Sequence, residues 1–409
     1  METSNTRIKQ NLPLVLLGAS LVLCLALGVR HAFGLFLTPM SGEFGWEREV
    51  FAFAIALQNL LWGLAQPFVG ALADRLGAAR VVLVGGLLYA LGLLLMAFAG
   101  SPASLSLSAG LLIGLGLSGT SFTVLLGLVG RVMPLHQRSL GMGIAAAAGS
   151  FGQFIMLPGT LGLIEWLGWS SALLALSMLM MLIVPFAGLI RARTVKADEI
   201  NPVRVSPVQA LQAVLRHKDF WLLSLGFFVC GFQVVFIGTH LPAYLVDSGL
   251  STSVGTMVLA LVGLFNIFGT YIAGWLGGRW SKPRLLVALY LLRTLVIALF
   301  LWLPLSNWTA YAFGIGMGLL WLSTVPLTNG TVATLFGVDN LSMLGGIVFL
   351  FHQLGSFLGG WLGGLLYDKS GSYDLVWPLA ILLGLLAAVL NTLVEEKPST
   401  PANAQEVMT

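Results

Sequence analysis

Gly70-Ala-Leu-Ala-Asp74-Arg75-Leu-Gly77-Ala-Ala-Arg80 returns, altered, as Gly274-Trp-Leu-Gly-Gly278-Arg279-Trp-Ser-Lys282-Pro-Arg284, about 204 residues further on. Each stretch is a short basic turn between two apolar runs. Nearly the same offset relates Gly143-Ile144 to Gly346-Ile347 and Glu165 to Asp368. The halves therefore read as two copies of one unit running in the same direction, a sequence mark of proteins that work by rocking one half against the other.

The surroundings of these turns set the class. Of 409 residues, 57% are hydrophobic and only 9% charged, against roughly a quarter charged in soluble domains. That excludes a water-soluble fold, and disorder with it. Runs of about 20 apolar residues, enough to cross a bilayer as helices, fall at Leu12–Leu37, Phe51–Leu72, Val81–Phe98, Leu105–Val129, Gly141–Leu163 and Ala172–Leu189. The second half repeats them at Trp221–Leu245, Val254–Leu276, Leu285–Leu303, Trp308–Ala333, Leu344–Leu366 and Leu375–Val394. The expectation is an all-α membrane protein of twelve transmembrane helices in two pseudo-symmetric six-helix bundles, 1–190 and 220–409. Residues 191–219 form a linker in which Val208, Leu211 and Leu215 share a face, as in an amphipathic surface helix. The first span is too long for a signal peptide and has no small-residue cleavage site.

Basic residues orient the chain. With the N-terminus in the cytoplasm, Arg7, Lys9, Arg75, Arg80, Arg131, Arg138, Arg191, Arg193, Lys196, Arg204, Arg216, Lys218, Arg279, Lys282, Arg284 and Lys397 lie on that side, 16 of 20. Arg48 and Lys369 lie outside. Both termini are expected in the cytoplasm and the protein in the cytoplasmic (inner) membrane.

The Gly70–Arg80 turn resembles the signature loop of the major facilitator superfamily, and the six-plus-six plan covers the whole chain. Ala32-Phe33-Gly34-Leu35-Phe36 followed by Glu43-Phe44-Gly45-Trp46 is similar to the first helix and loop of bacterial monocarboxylate-porter-like members. The resemblance implies the major facilitator fold, a secondary transporter, and a functional basic residue near His31. The porters' own arginine, one helix before the ninth, has no counterpart in Phe268-Gly-Thr270-Tyr271. In the loop, Asp74 is placed to pair with Arg75 or Arg80 or to cap a neighbouring helix. Gly70, Asp74, Arg75, Gly77, Arg80 and Arg279 are the candidate conformational residues, with His240 before Pro242 as a candidate gate.

Ionisable groups inside a membrane are costly and call for a partner. Every acidic residue falls in a loop, tail or helix end, whereas Arg30 and Arg293 lie within spans. With no fixed counter-anion, the simplest partner is an anionic substrate. Arg30 sits about 10 Å from its helix end at 1.5 Å per residue. His31 shares a face with Leu27, Gly28, Gly34 and Leu35, where the glycines leave room for a ligand. Arg293 is deep enough to be an anion ligand. A structural role with backbone carbonyls or Asn329 is the other reading. Gln58, Asn59, Gln153, Gln233, Asn266, Trp321, His352 and Gln353 lie at comparable depths, as a set suggesting a wet central cavity. Histidine titrates near neutrality, so His31 or His352 is placed to carry a coupled proton.

The expectation is a transporter of a small organic anion, a monocarboxylate, moved with a proton or in exchange for another anion. Its partners are the substrate, the proton and the bilayer, with no nucleic acid, and the chain is expected to be a monomer. A drug or cation exporter would want a buried acid and the Gly-Pro pattern that Gly149-Ser-Phe-Gly152-Gln-Phe lacks; a membrane sensor would carry a large soluble extension. No nucleotide loop, metal cluster or nucleophile triad points to an enzyme, and no cofactor is expected.

Overall fold

The computed structural model describes residues 2–133, 138–190, 214–336 and 341–396, with the side chains of residues 2–11, 74–75, 130–131, 138–140 and 341–343 outside that description. Among the described residues there are helices and turns but no strands. Eleven helices are long and apolar enough to cross a membrane. They are α1 (Leu12–Phe44), α2 (Arg48–Ala73), α3 (Ala78–Met96), α4 (Pro102–Val129), α5 (Gly141–Leu167), α6 (Trp169–Leu189), α7 (Lys218–Asp247), α8 (Thr252–Gly277), α9 (Lys282–Trp302), α10 (Asn307–Phe336) and α11 (Leu344–Ser370). A shorter apolar helix, α12 (Val376–Thr392), completes the set. Together they match the twelve-helix plan expected from the sequence. Of the amphipathic surface helix expected over 207–217, residues 207–213 lie outside the described residues, while Val214 and Leu215 are helical and His217 is not.

Buried apolar side chains form two clusters. One draws almost wholly on residues 15–190 and the other mainly on 214–388. Glycine permits the close approaches within each. A Cβ on Gly152 (α5) would stand 2.0 Å from the Cys24 carbonyl oxygen on α1, and one on Gly231 (α7) 1.8 Å from that of His352 on α11. In a lipid solvent that drives no apolar association, such small-residue contacts supply the packing between helices.

Local chemistry repeats with the halves. α4 and α10 each start at a serine, Ser101 and Ser306, whose hydroxyl accepts the amide of the residue three further on in a reciprocal capping box. Tyr89 of α3 donates to the Ala26 carbonyl of α1, and Tyr290 of α9 to the Gly226 carbonyl of α7, at 3.1 and 2.7 Å.

Several spans are less regular than hydropathy suggests. α1 passes through a 3-10 turn at Phe33–Phe36 before continuing to Phe44. α4 contains a π-helical stretch, Ser106–Leu112, and is interrupted at Ser121. α10 is interrupted at 321–323. Apolar content measures burial in lipid and not continuity of the helix, so none of these breaks shows in a hydropathy reading.

The two ends of the bundle differ. At the end carrying Arg48, Asp247 and Asp368, α2 and α11 touch closely: a Cβ on Gly364 would lie 2.8 Å from the Ala52 Cβ. The contact of α2 with α11 continues to Gln353, which a Cβ on Gly63 would meet at 2.6 Å. Toward the end carrying Arg80 and Arg279, a Cβ at Gly70, Gly143 or Gly274 would meet no described atom within 4 Å, whereas the fourth repeat-related glycine, Gly346, is buried.

Candidate functional site

Arg30 lies in the last turn before the break in α1 and is half-buried. Its Nη2 donates to Asn59 Oδ1 on α2, and its guanidinium stands 5.0 Å over the Trp62 ring. Asn59 is itself oriented, donating to the Ile55 carbonyl at 2.7 Å. Trp62 is held by its indole N–H, 2.8 Å from Gln66 Oε1 and 3.2 Å from Ser121 Oγ, at the interruption of α4. The Arg30 Nε–H is buried without a described partner, and no carboxylate reaches the guanidinium among the described residues. His31, beside it, is half-buried and makes no hydrogen bond to a described residue. The glycines beside them leave no space for a ligand. Gly28 packs on Gly152 and Met156 of α5, and Gly34 on the Gly238 carbonyl of α7, because helix packing uses those faces.

The other half supplies a facing group. His352 of α11 stacks on Phe349 (5.7 Å between centroids, 7° between planes), which sits edge-on to Trp62 at 5.3 Å. His352 Nδ1 lies 3.2 Å from Gln353 Oε1 and 3.4 Å from Ser356 Oγ, while its Nε2 and the Gln353 Nε2 are buried with no described partner. Gln353 packs against Gly63 of α2. Arg30, Asn59, Trp62, Phe349, His352 and Gln353 thus form one continuous cluster across the two halves. Trp62 and Phe349 are the members missed by reading for polar groups. The available signal was spacing: Trp62 falls three residues after Asn59 and four before Gln66, one helical face.

The remaining candidates go elsewhere. Gln58 donates to the Ala109 carbonyl of α4 at 2.8 Å, inside its own half. Gln153 donates to the Leu259 carbonyl of α8 at 2.9 Å, and Asn266 to Ser150 Oγ at 2.9 Å, so both stitch α5 to α8. Asn266 Oδ1 also accepts the Leu322 amide at 2.9 Å in the break of α10. Arg293 is fully buried. Its Nη2 donates to the carbonyls of Leu320 and Trp321, each at 2.6 Å, and its Nη1 to Gln233 Oε1 at 3.2 Å. Gln233 in turn donates to the Ala380 carbonyl of α12 at 2.8 Å. Arg293 therefore caps the carbonyls that the interruption of α10 leaves open. Asn329 is not its partner and donates to Val325 of its own helix. Trp321 is fully buried at that break.

His240 is also fully buried. Its Nε2 lies 2.8 Å from the Gly360 carbonyl and its Nδ1 3.1 Å from the Tyr373 hydroxyl. The carbonyl accepts only, so the network assigns the proton to Nε2 and leaves Nδ1 to accept from Tyr373. Burial raises the Tyr373 phenol above its ordinary range, keeping that hydroxyl protonated. In the signature turn, Gly77 takes a φ of +90° where α2 ends, and Arg80 is exposed. The side chains of Asp74 and Arg75 lie outside the described residues. Across the repeat, Arg279 stacks 3.7 Å over Trp275.

Residues 19–336 match the family model of the Major Facilitator Superfamily. Similar curated proteins include monocarboxylate transporter 11 of Mus musculus, 29% identical over 363 residues that cover 86% of this chain and 80% of that one. Monocarboxylate transporter 13 of Bos taurus is 29% identical over 374 residues, covering 88% and 84%. The MFS-type transporter YcxA of Bacillus subtilis (strain 168) is 24% identical over 379 residues, covering 88% and 90%.

Proposed function

This chain belongs to the major facilitator superfamily, and on that premise we propose that it carries a small organic anion, a monocarboxylate, across the cytoplasmic membrane with a proton. The observation that carries the reading is Arg30: a half-buried guanidinium that makes one hydrogen bond, to Asn59, and meets no carboxylate among the described residues. An ionised group in that position is stabilised by a charge that arrives with the substrate. Asn59 and Trp62 orient the guanidinium, and Gln353 and His352 offer further polar atoms from the opposite half. The names of the similar proteins point to the same substrate class.

Alternating access is the mechanism in this reading, supported by the two repeated halves and by the contact that joins them at the Arg48 end, with the Arg80 end taken as cytoplasmic from the distribution of basic residues. Substrate binding draws the two halves together across the Arg30–Trp62–Phe349–His352 cluster, and a monomer contains all the parts. His31 and His352 are the proton carriers in this reading.

Uptake by proteoliposomes under an imposed pH gradient, with a panel of monocarboxylates and organic cations, tests the reading. Acid-driven uptake of a carboxylate is expected, lost by at least about tenfold in Arg30→Gln, a factor that corresponds to about 1.4 kcal/mol of binding. Transport of cations alone, or anion uptake indifferent to Arg30→Gln, overturns it.

A further inference from the structure

At the Arg48 end the halves are held by a contact of unusual form. α2 starts at Arg48 with Glu47 before it, and Glu47 gives its helix no side-chain cap. The acceptor comes from the other half. Asp368 of α11 takes the Arg48 amide on Oδ1 at 3.1 Å and the Glu49 amide on Oδ2 at 2.7 Å. A carboxylate there meets the open N–H groups and the positive end of the helix dipole, as a local cap would. Arg48 reinforces it, with Nη2 2.8 Å from Asp247 Oδ1 on α7 and Nη1 3.0 Å from the Tyr373 hydroxyl. Glu49 accepts the Trp361 indole N–H at 2.7 Å. Glu47, Glu49 and Asp368 come close together here, and the last two already hold N–H donors.

The repeat places a second copy of this arrangement between α5 and α8. Gly45 and Gly249, both with positive φ, stand three residues before the starts of α2 and α8. Gly371 and Gly168, again both with positive φ, stand three residues after Asp368 and Glu165. Glu165 is thus to the start of α8 what Asp368 is to the start of α2. The second copy is not engaged. Ser251 gives α8 no side-chain cap, and the Thr252 and Ser253 amides donate to no described residue. Glu165 is exposed and makes no hydrogen bond among the described residues. Between them lies a crevice of about 230 Å³, whose lining includes Glu165, Thr252, Thr38, Leu161 and Pro242. Thr252 stands where the first copy has Arg48, so this side lacks the reinforcing cation.

We propose that Asp368 and Glu165 are a matched pair of positioning residues, each closing this end of the transporter by capping a helix of the opposite half. The Asp368 cap on α2 is the stronger and is already made. The Glu165 cap on α8 forms when the crevice shuts, so closure proceeds in two stages, α2–α11 first and α5–α8 second. The inference rests on the alternating-access reading but not on the identity of the substrate.

Two measurements on the reconstituted full-length chain test it. The first is labelling of Thr38→Cys, in the crevice, by a membrane-impermeant maleimide, with the chain lacking that substitution as the background for Cys24 and Cys230. Glu165→Gln is expected to raise the labelling rate severalfold and Glu165→Asp to raise it less. The second is the distance between spin labels on Ser101→Cys, just ahead of α4, and Trp308→Cys, in the first turn of α10 in the opposite half. Asp368→Asn is expected to add a longer-distance population, and Asp368→Glu to retain the short one. Glu165 has no described partner to lose, so Glu165→Gln reports even if Asp368→Asn fails to fold. Labelling of Thr38→Cys unchanged by Glu165→Gln, or distances unchanged by a folded Asp368→Asn, overturns the proposal. Neither readout needs substrate, so failure of carboxylate uptake with these shifts present counts against the substrate reading alone.

Discussion

Arg30 and Arg293 lie in opposite halves of the molecule and solve the same problem, a guanidinium among apolar helices, in different ways. Counted from the paired Tyr89–Ala26 and Tyr290–Gly226 bonds, Arg30 falls opposite Cys230 and Arg293 opposite Gly92. Each half therefore carries one arginine on an otherwise repeated frame, at unrelated places. In the first half the break in α4 is tied by neutral groups, Ser121 Oγ and the Ser118 carbonyl with Gln66. That leaves its arginine free to face the cluster. In the second half the break in α10 opens two carbonyls, and Arg293 is committed to them. Depth in the membrane does not tell a ligand from a brace; the hydrogen bonds already made do, one from Arg30 to Asn59 against three from Arg293.

The contrast is broken most directly by Arg293→Met. It leaves two buried carbonyls and Gln233 Oε1 without a donor, at about 1–3 kcal/mol each. A fall in Tm of about 10 °C or more is expected in a detergent thermal scan, or loss of monodisperse protein. Arg30→Gln in the same scan should move Tm by no more than about 2 °C. Equal losses in the two variants would erase the distinction between brace and ligand.

Next in size is the assignment of the proton. His352 lies in the cluster with its Nε2 unpartnered among the described residues, whereas His31 adjoins Arg30 on α1. His352→Gln should abolish stimulation of uptake by an acid gradient while downhill anion exchange continues, and His31→Gln should weaken that stimulation less. Acid-driven uptake that survives removal of both histidines removes the proton site from this cluster.

A smaller effect sharpens the role of the aromatic bridge. A cation–π contact is worth about 0.5–2 kcal/mol, so Trp62→Leu is expected to raise KM by about threefold to tenfold with little change in Tm. An unchanged KM would reduce Trp62 to packing.

The membrane class, the spans and the repeat were legible in the chain because each follows from composition or from periodicity along one dimension. The Gly70–Arg80 turn and its copy at Gly274–Arg284 carried the architecture, and the scarcity of charge singled out Arg30 and Arg293. Less legible was the direction in which each polar group turns. Gln58, Gln153 and Gln233 sit at the depth of a cavity yet bond to the carbonyls of Ala109, Leu259 and Ala380. Gly28 and Gly34 suggested space and proved to be contact faces. Trp62 and Phe349 went unnoticed, since an aromatic ring in an apolar helix has no compositional signature until a charged neighbour is placed over it.

Sequence alone determined that this is a twice-repeated helical membrane protein, since the cost of placing charge and open backbone in lipid is read residue by residue. Only the tertiary structure decided which arginine is a brace, which keeps bonding capacity for a ligand, and which helix Asp368 caps. Those outcomes depend on atoms from helices far apart in the chain: Leu320 and Trp321 against Arg293, Asn59 against Arg30, Asp368 against the start of α2. A hydrogen bond is settled within about 3 Å and within a narrow range of angles, and the order of residues along the chain carries neither.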